Sequence, residues 1–205
     1  MEPDLARKTV ITDDALLEAA REVFLQKGPT ATTAEVARRA GVSEGTLFKR
    51  YPTKKELIIA AMKMRETATW QQGLPASMGK GDLNLQLADL MRELIGFFRL
   101  MAPRLALMSS CHIRQEEFFG AHSEPPPVTG IRALSRYLSA EQQLGRLGPC
   151  DVEIVARVLL GSSIQYAMHE SYGVHAWLPM PEDTFIRGTV ALVLRGIAPT
   201  PSIET

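Results

Sequence analysis

The densest chemistry in this chain is basic. Between Arg38 and Lys55 stand six Lys and Arg residues (Arg38, Arg39, Lys49, Arg50, Lys54, Lys55) against a single acid, Glu44. Charge of that density suits phosphate oxygens, and the hydroxyls interleaved with it, Thr32, Thr33, Ser43 and Thr46, suit phosphates or base edges. The whole chain is neutral, with 23 basic and 23 acidic residues, so the sum does not announce a nucleic-acid partner. The distribution does: residues 1–65 carry 12 Lys/Arg against 9 Asp/Glu, and the remainder carry 11 against 14. A basic patch alone is more often a solvated face, so the elements that carry it must decide.

Other chemistries are poorly supplied. Cys111 adjoins His112, and His169-Glu170 precede His175, but this is not the HExxH spacing, and successive residues on a helix do not face each other. There is no Gly-rich phosphate loop and no GxSxG turn, so no catalytic residue, metal ligand or cofactor is expected. Cys111 and Cys150 form no CxxC pair and read as free thiols. The acidic N-terminus lacks signal-peptide order, and no apolar run approaches the roughly 20 residues that span a bilayer. The expectation is a cytoplasmic protein without a membrane partner.

Helical periodicity dominates the chain, and breakers divide it into about nine helices, an all-α fold. Thr12 caps a helix over Asp13–Lys27 whose apolar set is Leu16, Leu17, Ala20, Val23 and Phe24, and Gly28-Pro29 ends it. Two short helices follow, then one from Lys54 to Trp70 opened by the capping box Thr53-Lys54-Lys55-Glu56. Gly73, Pro75, Gly79 and Gly81 predict a loop over 71–82. Beyond it lie a helix from Leu83 bent or ended at Pro103, another over Arg104–Phe119, and further helices over 129–144, 151–172 and 182–196, with 173–181 a loop.

Within this scaffold Thr32 and Glu35 make a capping box for a helix that Gly41 stops after two turns, and Ser43 caps the next. Two helices joined by Gly41-Val42-Ser43 alone must cross steeply. That crossing needs a small residue at the contact, a flexible one in the turn and an apolar one reaching back, which Ala37, Gly41 and Leu47 supply. The second helix then offers Ser43, Glu44, Gly45, Thr46, Lys49 and Arg50 outward, polar or small as a major groove requires. Tyr51, Lys54 and Lys55 follow at the next helix start, where amides and lysines can clamp a phosphate. The bland alternative is a helical hairpin with a basic rim.

The stretch from Leu17 to Met62 resembles the DNA-binding domain of the TetR/AcrR family of regulators. The matching positions are Phe24 and Gly28, Thr32 with Val36-Ala37, Gly41-Val42-Ser43, Gly45-Thr46-Leu47-Phe48, Tyr51, and Lys54-Glu56-Leu57. The resemblance implies that Thr33, Phe48 and Lys54 sit where phosphates are touched, and that Glu44, Gly45, Thr46, Lys49 and Arg50 form the base-reading surface. Phe48 stands where the family often carries Tyr, which removes one phosphate hydrogen bond, and Pro52 is also a departure.

The resemblance further implies three segments: an N-terminal three-helix DNA-binding domain over 1–53, a connecting helix over 54–70, and an effector-binding and dimerisation bundle over 71–205. Such bundles pair through their last two helices. Here Gly161, Ser162 and Ser163 permit close approach, and Phe185, Val190, Leu192, Val193 and Leu194 make the last helix too apolar for an exposed end. Candidate pocket residues are Met91, Phe97, Phe98, Met101, Met108, Phe118, Phe119, Tyr137, Gln165, Tyr166 and His169, a Met- and aromatic-rich set that favours an uncharged or lipophilic effector. Each of these is individually more often plain core. The expected function is a homodimeric repressor released from a palindromic double-stranded operator when effector tilts the connecting helix. The alternatives are a ligand-independent DNA-binding regulator controlled by a protein partner, and an all-helical enzyme.

Overall fold

The computed structural model describes residues 11–63, 69–120 and 124–196. Among them it is all-helical, with eleven α-helices and one 3-10 turn. The described residues form two compact units, one within 11–63 and 103–120, the other within 69–102 and 124–196.

In the first unit, α1 (Asp13–Lys27) starts where the Thr12 hydroxyl accepts from the Ala15 N–H at 3.2 Å, and ends at Gly28, whose φ of +63° few side chains adopt. Then come α2 (Thr33–Ala40), α3 (Glu44–Arg50) and α4 (Lys54–Met62), capped by Thr32, Ser43 and Thr53. Both halves of the Thr32–Glu35 capping box form: the Glu35 N–H donates to Thr32 Oγ1 at 3.3 Å and the Thr32 N–H to Glu35 Oε2 at 3.0 Å. At Thr53 the hydroxyl accepts from the Glu56 N–H at 3.1 Å. Leu16, Phe24, Val36, Leu47, Leu57 and Met62 close the core, joined by Leu107, Met108, Ile113 and Phe118 from later in the chain.

The second unit holds α5 (Thr69–Ser77), α6 (Leu83–Ser110) as far as Ala102, α8 (Pro126–Gln143), α9 (Val152–Ser171), α10 (Val174–Trp177) and α11 (Glu182–Arg195). Leu87, Met91, Leu94, Ile95, Leu134, Tyr137, Leu138, Leu159, Ile186 and Val190 fill its core. Arg99 on α6 ties α9 and α11 to it, bonding both carboxylate oxygens of Glu170 at 2.7 Å and reaching Glu182. Glu141 is fully buried, pairs with Arg146 at 2.9 Å and accepts the Gly79 N–H at 2.8 Å.

Several elements differ from the sequence expectation. The helix expected over 54–70 stops at Met62, with Lys63 extended at ψ 134°; residues 64–68 lie outside the described structure. The loop expected at 71–82 is helical to Ser77 in spite of Gly73 and Pro75. Trp70 and Leu74, one turn apart, are both buried in the second core, and burying side chains of that size contributes about 1.5–3 kcal/mol each, enough to offset the roughly 3 kcal/mol of an interior proline. α6 runs through Pro103 to Ser110, and only Gln115–Phe119 remains as α7 of the helix expected over 104–119. A single turn, α10, interrupts the loop expected at 173–181.

Candidate nucleic-acid interface

The short connection between α2 and α3 is built from the residues singled out for it. Gly41 takes a left-handed conformation (φ 68°, ψ 29°), its N–H bonding back to the Ala37 and Arg38 carbonyls, and the Val42 N–H donates to the Ala37 carbonyl at 2.9 Å. A β-carbon would strain that turn. Ala37 and Leu47 are buried beneath it, so the outward residues of α3 are held by a packed base.

Ser43, Glu44, Gly45, Thr46, Phe48 and Lys49 are all exposed, while Arg50 and Tyr51 are half-buried. Ser43, Gly45, Thr46, Lys49 and Arg50 line one shallow open concavity. Its polar groups are arranged in part by one another: the Ser43 and Thr46 hydroxyls share a hydrogen bond at 2.9 Å, and the Thr33 hydroxyl donates to Glu44 Oε1 at 2.7 Å. Lys49 has no hydrogen-bond or ion-pair partner among the described residues, which leaves its ammonium available to a ligand. Thr32 is exposed and Thr33 half-buried at the start of α2.

Arg38, exposed on α2, likewise has no partner among the described residues, whereas Arg39, Arg50, Lys54 and Lys55 are engaged, Arg39 with Glu22. Arg50 donates to Asp13 Oδ1 at 2.9 Å and to the Ile11 carbonyl at 3.0 Å. Lys54 donates to the Pro29 carbonyl at 2.8 Å, and Lys55 to Glu117 Oε1 at 2.8 Å. Burial, with Asp13 adding to it, pushes the Tyr51 phenol above its usual range, so it stays a hydrogen-bond donor. On α3 the surface therefore sets one unpartnered cation, Lys49, among small hydroxyl groups, beside cations that bond within the unit.

The apolar and aromatic residues expected to line an effector pocket divide between the units. Met91, Tyr137 and Tyr166 are buried in the second core, with Phe97 and Phe98 packed on it. Met101 is buried on α6, Gln165 is exposed and His169 half-buried on α9. The Tyr166 hydroxyl is committed to the Met180 carbonyl at 2.9 Å. Met108, Phe118 and Phe119 belong to the first unit's core. In the second unit a cavity of about 180 Å³ opens among α5, α6 and α8. Tyr137 is the member of the expected set that lines it; Trp70, Leu74, Asp89, Leu90 and Glu93, which composition did not single out, supply other walls. The available signal was the Asp89/Glu93 spacing, one turn apart on the flank of an apolar stripe.

Residues 16–61, spanning α1 to α4, match the family model of bacterial regulatory proteins, tetR family. The chain is 23% identical over 191 residues to the HTH-type transcriptional regulator YvkB of Bacillus subtilis, covering 91% of this chain and 97% of that one. A putative TetR-family regulator from Mesorhizobium loti superposes with a TM-score of 0.68 at 18% identity, covering 89% of this chain and 94% of that one. FadR from Bacillus subtilis, solved in complex with stearoyl-CoA, gives 0.62 at 16% identity over 91% of this chain and all of that one. The structural likenesses speak for the fold, and the sequence matches for the regulator. With the short turn between α2 and α3, these matches identify residues 16–61 as a DNA-binding domain of the tetR family of bacterial regulatory proteins, the mark of a transcriptional regulator and not of an enzyme.

Proposed function

We propose that the chain acts in the cytoplasm as a homodimeric repressor that leaves a palindromic operator when a small, mainly apolar effector binds the second unit. The observation that carries the reading is the exposed face of α3: Ser43, Gly45 and Thr46 stand clear of the fold at its N-terminal end, with Lys49 one turn further along. That half is what enters a major groove in helix-turn-helix proteins. Glu44 accepts from cytosine amino groups in this arrangement, and Lys49 donates to guanine or phosphate oxygens. Thr32, Thr33, Phe48, Tyr51, Lys54 and Lys55 flank it toward the backbone, and Arg50 holds it in place.

One recognition helix of seven residues reads too few bases for a specific site, which favours a symmetric pair on half-sites roughly 34 Å apart. Ile154 and Val158 on α9 and Leu192 on α11 are exposed apolar residues, and Gly161 and Gly188 have open space beside them. A second copy packed on these two helices removes that surface from water. FadR was solved in complex with stearoyl-CoA, a ligand with a long apolar chain; together with the cavity among α5, α6 and α8 this supports an effector site in the second unit. Effector then acts by population shift, binding more tightly to the state whose recognition helices do not match one DNA turn.

The test is selection of binding sites from random duplex DNA by the full chain. The expected result is an inverted repeat, with Lys49→Ala changing the preferred bases. Lys54→Ala is expected to weaken all sequences and lower the salt slope by about one unit. Enrichment of no sequence, or of a single asymmetric half-site, contradicts the reading.

A further inference from the structure

Glu44 is the single acid between Arg38 and Lys55, and it stands exposed in the first turn of α3. Thr33, the first residue of α2, donates its hydroxyl proton to Glu44 Oε1 at 2.7 Å, across eleven residues of sequence. The start of α2, and with it the donor, is fixed by the capping box of Thr32 and Glu35. A hydroxyl has one proton to give, and a phosphate oxygen only accepts. The Thr33 proton therefore cannot serve Glu44 and a phosphate at once, which departs from the phosphate role that the family resemblance implies for this position.

Elsewhere on this face the small hydroxyls are committed, Ser43 and Thr46 to each other at 2.9 Å. Glu44 Oε2 has no partner among the described residues. A carboxylate entering a major groove between two phosphate backbones is repelled unless it meets a donor. On the groove edge cytosine shows a donor, its N4 amino group, and no acceptor; adenine sets its N6 donor beside the N7 acceptor; guanine and thymine show acceptors alone. Glu44 gains at cytosine and is repelled at guanine and thymine, so it discriminates by rejection as well as by contact. An untethered glutamate can swing away from a wrong base and forfeit that discrimination. One already bonded at Oε1 has less freedom to do so, and less ordering left to undergo at the right base.

We propose that Glu44 selects cytosine at one position of each half-site, and that Thr33 is a positioning residue that holds the Glu44 carboxylate for that contact instead of binding a phosphate through its hydroxyl. The inference rests on the reading of α3 as the recognition helix. It names the base that Glu44 reads and a side chain outside that helix on which the reading depends. Valine at 33 would keep the shape of the side chain and lose the proton, and serine would keep the proton, so the two substitutions separate the hydrogen bond from packing.

The test uses the full chain on the operator obtained by site selection, and on duplexes carrying each of the four bases, with its complement, at the selected cytosine in both half-sites. Competition binding by fluorescence anisotropy at one salt concentration gives the ratios. Wild type is expected to bind the cytosine duplex about tenfold or more tightly than the guanine and thymine duplexes. Glu44→Ala should bring all four to within about twofold of one another. Thr33→Val should narrow the cytosine-to-guanine ratio to about threefold, and Thr33→Ser should restore it. A cytosine preference that survives Glu44→Ala overturns the proposal. So does a Thr33→Val protein that binds all four duplexes more weakly in proportion with its ratio intact, since that is the behaviour of a phosphate contact. The two readings fail separately: an inverted repeat without such a cytosine keeps the recognition helix and removes this inference, whereas enrichment of no sequence removes both.

Discussion

Arg50, at the end of the recognition helix, is bonded to Asp13, the first residue of α1, at 2.9 Å, and to the Ile11 carbonyl at 3.0 Å. Both guanidinium nitrogens used there are engaged within the first unit. The side chain most suited to bidentate base recognition on α3 thus joins the end of α3 to the start of α1.

The first prediction follows from that bond and from the free ammonium of Lys49. Arg50→Ala should lower stability by about 1 kcal/mol and weaken all DNA sequences alike, whereas Lys49→Ala should alter which bases are preferred. Site selection with each variant checks this. Relaxed preference at one base position in Arg50→Ala would mean that Arg50 leaves Asp13 to read DNA.

A second prediction concerns acid. The Lys27 ammonium and the Thr32 N–H, both bonded to Glu35, hold its pKa at about 2 where 4.5 is ordinary. The folded value lies below the unfolded one, so the contribution is complete above about pH 4.5 and is lost as pH falls toward about 2. Glu35→Gln should therefore flatten the fall of melting temperature in that window, measured by circular dichroism across a pH series. A slope equal to the wild type's would remove Glu35 from the account of acid sensitivity.

The buried Glu141 gives a third. It is fully enclosed and holds both Arg146 and the Gly79 N–H. Glu141→Ala orphans both and should cost about 3 kcal/mol in chemical denaturation. Glu141→Gln keeps an acceptor for Gly79 and should cost clearly less. Equal losses would assign the effect to charge alone.

The exposed face of α9 supplies a fourth. Val158→Asp places a charge in the proposed contact between copies while leaving the second unit's own core untouched. Light scattering should then report monomers, and operator affinity should fall more than about tenfold because one half-site is read at a time. Retained dimers would move the interface elsewhere.

Local chemistry made the first domain legible. Thr12, Thr32, Ser43 and Thr53 all occupy N-caps, and Gly41 is left-handed, because each signal acts within a few residues of itself. Ala37 and Leu47 were readable for the same reason. α5 was hidden because its local signals, Gly73 and Pro75, are outweighed by the burial of Trp70 and Leu74 against residues distant in sequence. Apolar residues carry no address either: nothing in their types separates Met108 and Phe118, which close the first core, from Met91 and Tyr137, which close the second. The partner of Arg50 lies 37 residues away, beyond any spacing rule.

The most direct test of the account places a DNA-cleaving chelate on the recognition helix. Thr46→Cys, made with Cys111→Ser and Cys150→Ser because Cys150 is exposed and Cys111 only half-buried, offers a single accessible thiol. Bound to its selected operator, the tethered full chain should cut within the major groove at two symmetric positions about one helical turn, roughly 34 Å, apart. Diffuse cutting along the duplex, or none, would contradict a reading of DNA by α3.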